Sequence, residues 1–254
     1  MKRLLALVFK AGGGILKAYF SWIRKYAKHR ENYTIEERFK KVQQLVRFVI
    51  LKMGIKYDVK NFDDIYSDDK KKFIVCNHQS MYDCLLFLMF AKRPLTFIAK
   101  KEVLKFPFVG KILYIIDGEF FDRQNLKAQV KNVLNASKLI EEQKYDVVIF
   151  PEGTRQKELE KGLLPFHAGS FKIPLRTKCD MVLTGIYGSW RCLNFFKFKK
   201  KKELFVQFRV IKEFKYDEFK NDNSVTIAEY SKTIIENKIF EFAEIDKKYQ
   251  KSIS

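Results

Sequence analysis

From about residue 55 onward the chain repeats one pattern: a short apolar run, then a longer stretch with apolar residues three or four apart. Ile55–Lys60 alternates with period two, and Phe73–Cys76 and Asp146–Phe150 are almost wholly apolar. Leu95–Lys100, Tyr114–Ile116, Met181–Tyr187 and Leu204–Ile211 read as further strands. Asp83–Phe90 reads as an apolar helix, and Leu126, Val130, Val133, Leu134 and Ile140 mark one face of an amphipathic helix over about 124 to 143. A last helix, capped by Thr226 with Glu229, reaches about residue 248. Short strands alternating with helices predict an α/β layer fold, a central mostly parallel or mixed β-sheet flanked by helices.

The first part of the chain follows another rule. Arg3, Lys10, Lys17 and Arg24 recur every seven residues and share one side at helical pitch, with no acid among the first thirty residues. The remaining circumference is apolar and aromatic, including Leu5, Val8, Ile15, Tyr19, Phe20 and Trp22. A narrow basic stripe beside a wide apolar face predicts a helix lying in a membrane surface. Gly12-Gly13-Gly14 is the point where that helix is expected to break or kink. Thr34 followed by Glu37 forms a capping-box pattern, Phe39, Val42, Leu45, Val46 and Val49 supply an apolar face, and Gly54 marks the stop. Residues 1–54 are thus expected to be a two-helix, membrane-binding hairpin ahead of an α/β domain over 55–254. No run of about 20 uninterrupted apolar residues exists to cross a bilayer.

The formal net charge is +20. It calls for an anionic partner: nucleic acid, an anionic membrane surface or a phosphate-bearing substrate. No nucleic-acid-binding motif accompanies the charge, so no nucleic acid is expected. The four cysteines, Cys76, Cys84, Cys179 and Cys192, form no C-x-x-C pair, and three histidines are too few for a zinc cage. Neither a metal nor a reactive thiol is expected.

Three motifs carry chemistry, each beside a predicted strand end. Asn77-His78-Gln79-Ser80-Met81-Tyr82-Asp83 is a His-x4-Asp arrangement where a strand gives way to a helix. Asp83 then reaches back one turn to hold one ring nitrogen of His78, leaving the other to act as a base toward a substrate hydroxyl. This is the base and orienter of a serine-protease triad, with the substrate's alcohol in place of the serine. Ser80 lies in no Gly-x-Ser-x-Gly elbow. Phe150-Pro151-Glu152-Gly153-Thr154-Arg155 sets a tight turn followed by a carboxylate, a hydroxyl and a guanidinium suited to phosphate. Gly118-Glu119-Phe120-Phe121-Asp122-Arg123 ends in a second arginine suited to phosphate. Singly, each is more often structural: a satisfied histidine, a turn with a solvated ion pair, a helix start with an exposed charge.

In order and spacing the three together resemble the motifs of the glycerolipid acyltransferase family. Ala99-Lys100-Lys101-Glu102, Pro107-Phe108-Val109-Gly110 and Phe166 to Phe171 resemble the family's intervening segments. The resemblance runs from about residue 55 to about 210. It departs at the fourth motif, where Asp180 to Ile186 lacks both prolines of the family's Pro-x-x-Pro strand.

The resemblance implies transfer of a fatty acyl group from acyl-CoA or acyl-carrier protein to the sn-2 hydroxyl of 1-acyl-sn-glycerol 3-phosphate, giving phosphatidic acid. His78 and Asp83 would be catalytic. Arg155, with Glu152, Gly153 and Thr154, would hold the phosphoglycerol part of the acceptor, and Arg123 would assist at the phosphate. Asn77 would either orient the histidine loop or meet the oxyanion. No cofactor is implied, and the place of work would be the cytoplasmic face of the cell membrane, as a peripheral or monotopic protein. The alternatives are transfer to glycerol 3-phosphate or another lysophospholipid, and a non-catalytic membrane-peripheral scaffold.

Overall fold

The computed structural model describes residues 11–121, 126–156, 161–193 and 204–253. Seven strands form one mixed sheet: β1 (Lys56–Lys60), β2 (Phe73–Cys76), β3 (Leu95–Lys100), β4 (Glu119–Phe121), β5 (Asp146–Ile149), β6 (Met181–Tyr187) and β7 (Phe205–Phe214). Their order is β1-β7-β6-β2-β5-β3-β4. Every neighbouring pair is parallel except β6 with β7.

Every residue of β2 and β5 is buried, as are the first six of β6, because helices cover the sheet on both faces. Side chains alternate between the faces. Ile74, Cys76, Val148 and Val182 enter one core. Phe73, Val75, Val147 and Met181 enter the other. The first core is closed by four helices: α1 (residues 11–28), α2 (Ile35–Leu51), α3 (Tyr82–Phe90) and α4 (Pro107–Ile115). The second is closed by α5 (Leu126–Glu141), α6 (Lys172–Thr177) and, after two short turns α7 (Trp190–Leu193) and α8 (Tyr216–Phe219), the long α9 (Ser224–Ser252). Ile227, Ala228, Ser231, Ile235, Ile239, Phe242 and Asp246 of α9 are buried at three- and four-residue spacing.

In α2 the Thr34 hydroxyl oxygen accepts the Glu37 amide at 3.2 Å, the cap expected there. The Glu37 carboxylate accepts instead from the Tyr26 hydroxyl of α1 at 2.8 Å. At the other end of this pair of helices, Gly14 meets the ring of Phe48, and a Cβ there would fall 2.5 Å from the Phe48 Cε1 atom. The helix runs through Gly12, Gly13 and Gly14 without a break. Gly14 allows the partly exposed Phe48 ring to lie against the helix, and a larger residue there would turn that ring outward.

Two further expectations are corrected. Tyr114–Ile116 is not a strand: Tyr114 and Ile115 end α4, and the strand begins at Glu119. Ile112, Leu113, Ile115 and Ile116 are buried around one turn of that helix. A three-residue apolar run does not separate helix from strand by itself. The last helix is capped by Asn223, whose side-chain oxygen accepts the amides of Val225 and Thr226, and it extends to Ser252. The lysine-rich segment Lys197–Lys202 and the basic residues Arg3 and Lys10 lie outside the described residues.

Candidate active site

The chain leaves β2 directly into Asn77 and His78, and the following turn starts α3 at Tyr82. That geometry folds Asp83 back beneath the histidine. The His78 Nδ1 atom is 2.8 Å from the Asp83 Oδ2 atom. The same oxygen accepts the backbone amides of Gln79, at 2.7 Å, and Ser80, at 2.9 Å. Asp83 is fully buried, whereas the His78 side chain retains 17% exposure. A carboxylate held by three donors is an anchor for the ring, and the open edge of the ring is the other nitrogen.

The ring is fixed from a second direction. It stacks on Phe150 with centroids 4.3 Å apart and planes 23° from parallel. Phe150 follows β5, which pairs with β2 in parallel, so the two chemistry-bearing loops emerge at the same end of adjacent strands. This is the usual place for a site in an open α/β sheet.

Glu152 ties these loops together. Its Oε1 accepts the His78 amide at 2.7 Å, and its Oε2 accepts the Leu164 amide at 3.0 Å. The residue is 3% exposed. Burial raises its carboxyl above the ordinary glutamate range, and the two amides pull against that rise. The Gln156 amide returns a bond to the His78 carbonyl at 2.8 Å. Gly153 has φ of 59° and closes the turn by donating its amide to the Phe150 carbonyl at 2.9 Å. Thr154 and Arg155 are exposed just beyond it, and Arg155 makes no ion pair among the described residues.

Asn77 faces inward and is fully buried. Its Nδ2 donates to the Ile186 carbonyl at 3.0 Å, and its Oδ1 accepts the Ile186 amide at 2.9 Å. The amide therefore bonds the histidine loop to β6. Gln79, which sequence reasoning passed over, adds a second tie: its Oε1 accepts the Gly188 amide at 3.1 Å and the Ser189 hydroxyl at 3.3 Å. Those partners are more than a hundred residues away along the chain, so no local signal reveals them. Ser80 is 6% exposed, and its hydroxyl oxygen accepts the Tyr82 amide at 3.2 Å. Arg123 lies outside the described residues.

A cleft of about 350 Å³ opens beside the Phe150 ring, between the ends of β3 and β5. Ile98, Lys100, Phe150, Gly153, His167 and Ser170 are among its walls. It joins apolar surface to polar groups, as small-molecule sites do. The thiols near the site are not activated. Burial pushes Cys76, Cys84 and Cys192 well above the ordinary thiol range, with the Asp83 charge adding to the rise, and all four cysteines are free.

Comparison with known proteins bears on the family and the fold. The family model described as Acyltransferase matches residues 56–186, from the first strand through the strand that anchors Asn77. A probable 1-acyl-sn-glycerol-3-phosphate acyltransferase of Mycoplasma pneumoniae is 34% identical over 194 residues, covering 74% of this chain and 71% of that protein. The 1-acyl-sn-glycerol-3-phosphate acyltransferase of Cocos nucifera is 33% identical over 120 residues, 46% of this chain and 38% of its own length. This chain belongs to the acyltransferase family. The crystal structure of the 1-acyl-sn-glycerophosphate (LPA) acyltransferase from Thermotoga maritima shares the fold, with a TM-score of 0.71 at 20% identity, over 95% of this chain and 96% of that one.

Proposed function

We propose that the chain is a 1-acylglycerol-3-phosphate O-acyltransferase, using acyl-CoA or acyl-carrier protein as donor and no cofactor. The observation that carries this reading is the His78–Asp83 couple, braced by Glu152 and stacked on the Phe150 wall of a cleft, in a chain whose named relatives act in acylglycerol-3-phosphate acylation. The free ring nitrogen of His78 takes the proton from the sn-2 hydroxyl as its oxygen attacks the thioester carbonyl. Asp83 holds the tautomer and stabilises the imidazolium. The C–S bond then breaks, and the departing thiolate recovers the proton. A positioned base of this kind supplies about 10²–10⁴-fold, and orientation of the two bound substrates supplies more.

Arg155, with Gly153 and Thr154, holds the acceptor's phosphoglycerol, and Arg123 assists at the phosphate. A guanidinium presents two parallel donors to phosphate oxygens, which suits that task. Glu152 and Asn77 serve by positioning the loops, since their polar atoms are engaged by backbone. Residues 1–54, which include α1 and α2, serve as the membrane-association segment of a peripheral or monotopic protein that works on the anionic cytoplasmic face. No helix of the described residues is long and apolar enough to cross a membrane.

The test is acyl transfer from a radiolabelled acyl thioester to lysophosphatidate in mixed micelles. Wild-type product, lost in a folded His78→Ala variant, supports both reaction and base. Folded protein that binds vesicles and acylates no lysolipid from either donor sinks the reading.

A further inference from the structure

The helix α1 is not uniform. Its middle, Tyr19–Ile23, is a π-helical turn in which the Arg24 amide donates to the Tyr19 carbonyl five residues back. Such turns are rare and occur frequently at functional sites. In an uninterrupted α-helix, residues five apart point about 140° away from each other. The wider turn brings Tyr19 and Arg24 onto one side, and Ala27 and Lys28 follow one regular turn later. That side faces α4, where the Lys111 ammonium lies 5.6 Å from the Tyr19 ring centroid.

Between the helices lies an open cleft of about 500 Å³ lined by Tyr19, Arg24, Ala27, Lys28 and Lys111. Three cations line it and no acid does. None of the three is in an ion pair among the described residues, whereas Lys215, Lys220, Lys232, Lys238 and Lys247 each meet a carboxylate. Three converging like charges are mutually unfavourable until an anion joins them. Leu16 and Phe20 of α1 are 60% and 67% exposed, and Leu104 and Phe106, just before α4, are 46% and 55% exposed. Cations at headgroup level beside bare apolar side chains match the layering of a bilayer surface.

We infer that this cleft binds the phosphate headgroup of an anionic bilayer lipid, at a place separate from the His78–Asp83 couple. The inference rests on the membrane reading of residues 1–54 and gives that reading a discrete headgroup site. The cations meet the phosphate, and the π-helical turn is what aligns two of them with Tyr19.

The experiment is vesicle flotation of the full chain with the triple variant Arg24→Gln, Lys28→Gln, Lys111→Gln. A control, Lys220→Gln, Lys247→Gln, Lys248→Gln, removes the same charge from exposed positions elsewhere. Each cation at an anionic surface contributes about fivefold, so the site variant should bind phosphatidylglycerol-containing vesicles on the order of 100-fold more weakly. The control should lose less than about threefold, because distant charges are screened. Turnover of a water-soluble short-chain lysophosphatidate should be unchanged in both, which also shows that they fold. Equal losses in the two variants would overturn the headgroup site while leaving membrane association in place. A wild-type chain that ignores anionic vesicles would overturn both. Calorimetric binding of inorganic phosphate without vesicles, abolished by the site variant, would assign the cleft to a soluble phosphate and overturn the lipid.

Discussion

Oδ2 of Asp83 accepts from His78 Nδ1 and from two successive backbone amides at once, so the buried carboxylate is locked before it orients the ring. Asparagine at 83 keeps an oxygen that can accept all three of these bonds, but it carries no charge to stabilise the imidazolium. Asp83→Asn should lower kcat by about 10²–10⁴-fold with a far smaller change in KM, the pattern of a weakened base rather than lost binding. Steady-state kinetics with the acceptor varied checks this, and a selective rise in KM would speak against it.

Glu152 offers a pH test. Burial raises its carboxyl, the amides of His78 and Leu164 notwithstanding, so the folded chain holds that proton more tightly than the unfolded chain. Its stabilising contribution is therefore full below the unfolded pKa of about 4.3 and declines as pH rises through the raised folded value. Glu152→Gln should flatten that decline. It should also cost about 1–3 kcal/mol near neutrality, because its NH₂ group faces one of two amide donors. Thermal melts of both proteins from about pH 4 to about pH 7 separate the effects. Parallel curves would exclude Glu152 as the titrating group.

Gly188 has φ of 92°, and a Cβ there would fall 2.4 Å from the Phe205 carbonyl oxygen. Its amide is also the donor that holds Gln79. Gly188→Ala should destabilise by about 1–3 kcal/mol or more from backbone strain and overlap. It should also lower kcat, since the histidine loop loses a tie. Denaturant unfolding alongside activity reads both, and a stable, fully active variant would contradict the arrangement.

How much of this was readable in advance depends on the range of each interaction. The runs Phe73–Cys76 and Met181–Tyr187 announce central strands because both faces are covered, and an unbroken apolar stretch is the signature of such burial. The His78–Asp83 pair is local, so spacing alone brings its partners together. Asn77 was readable as part of the motif but its engagement with Ile186 was not, because that contact forms only after the sheet is assembled. Tyr114–Ile116 misled because β-branched and aromatic residues look strand-like until the preceding turn is seen to place them on a helix.

Arg191 and Asp246 form a buried two-bond ion pair between α7 and α9, with Nη1 to Oδ1 at 2.7 Å. Removing one partner strands the other charge. Arg191→Met should cost about 3–5 kcal/mol, and the double variant with Asp246→Leu should recover most of it. A double-mutant cycle measured by chemical denaturation decides, and additive losses would show the two residues acting independently.

None of the four thiols is placed to react. Burial raises Cys76 and Cys84, and Cys179 is pushed up to about 11 by the same cause. Cys84→Ser should retain acyl transfer within a few-fold, and mass spectrometry after donor addition should find no acylated cysteine. An acyl adduct on Cys84 would require a covalent mechanism.

The pairing of β1 with β7 orders the life of the polypeptide on the ribosome. Lys56–Lys60 follows the N-terminal helices immediately, yet among the described residues its one neighbour in the sheet is Phe205–Phe214. Some 150 residues must be synthesised before that edge of the sheet closes. The N-terminal helices therefore emerge while the strand behind them is still unpaired, and nascent chains halted before β7 should remain protease-sensitive at β1. Translation itself would give the first helices a head start over the sheet edge they precede.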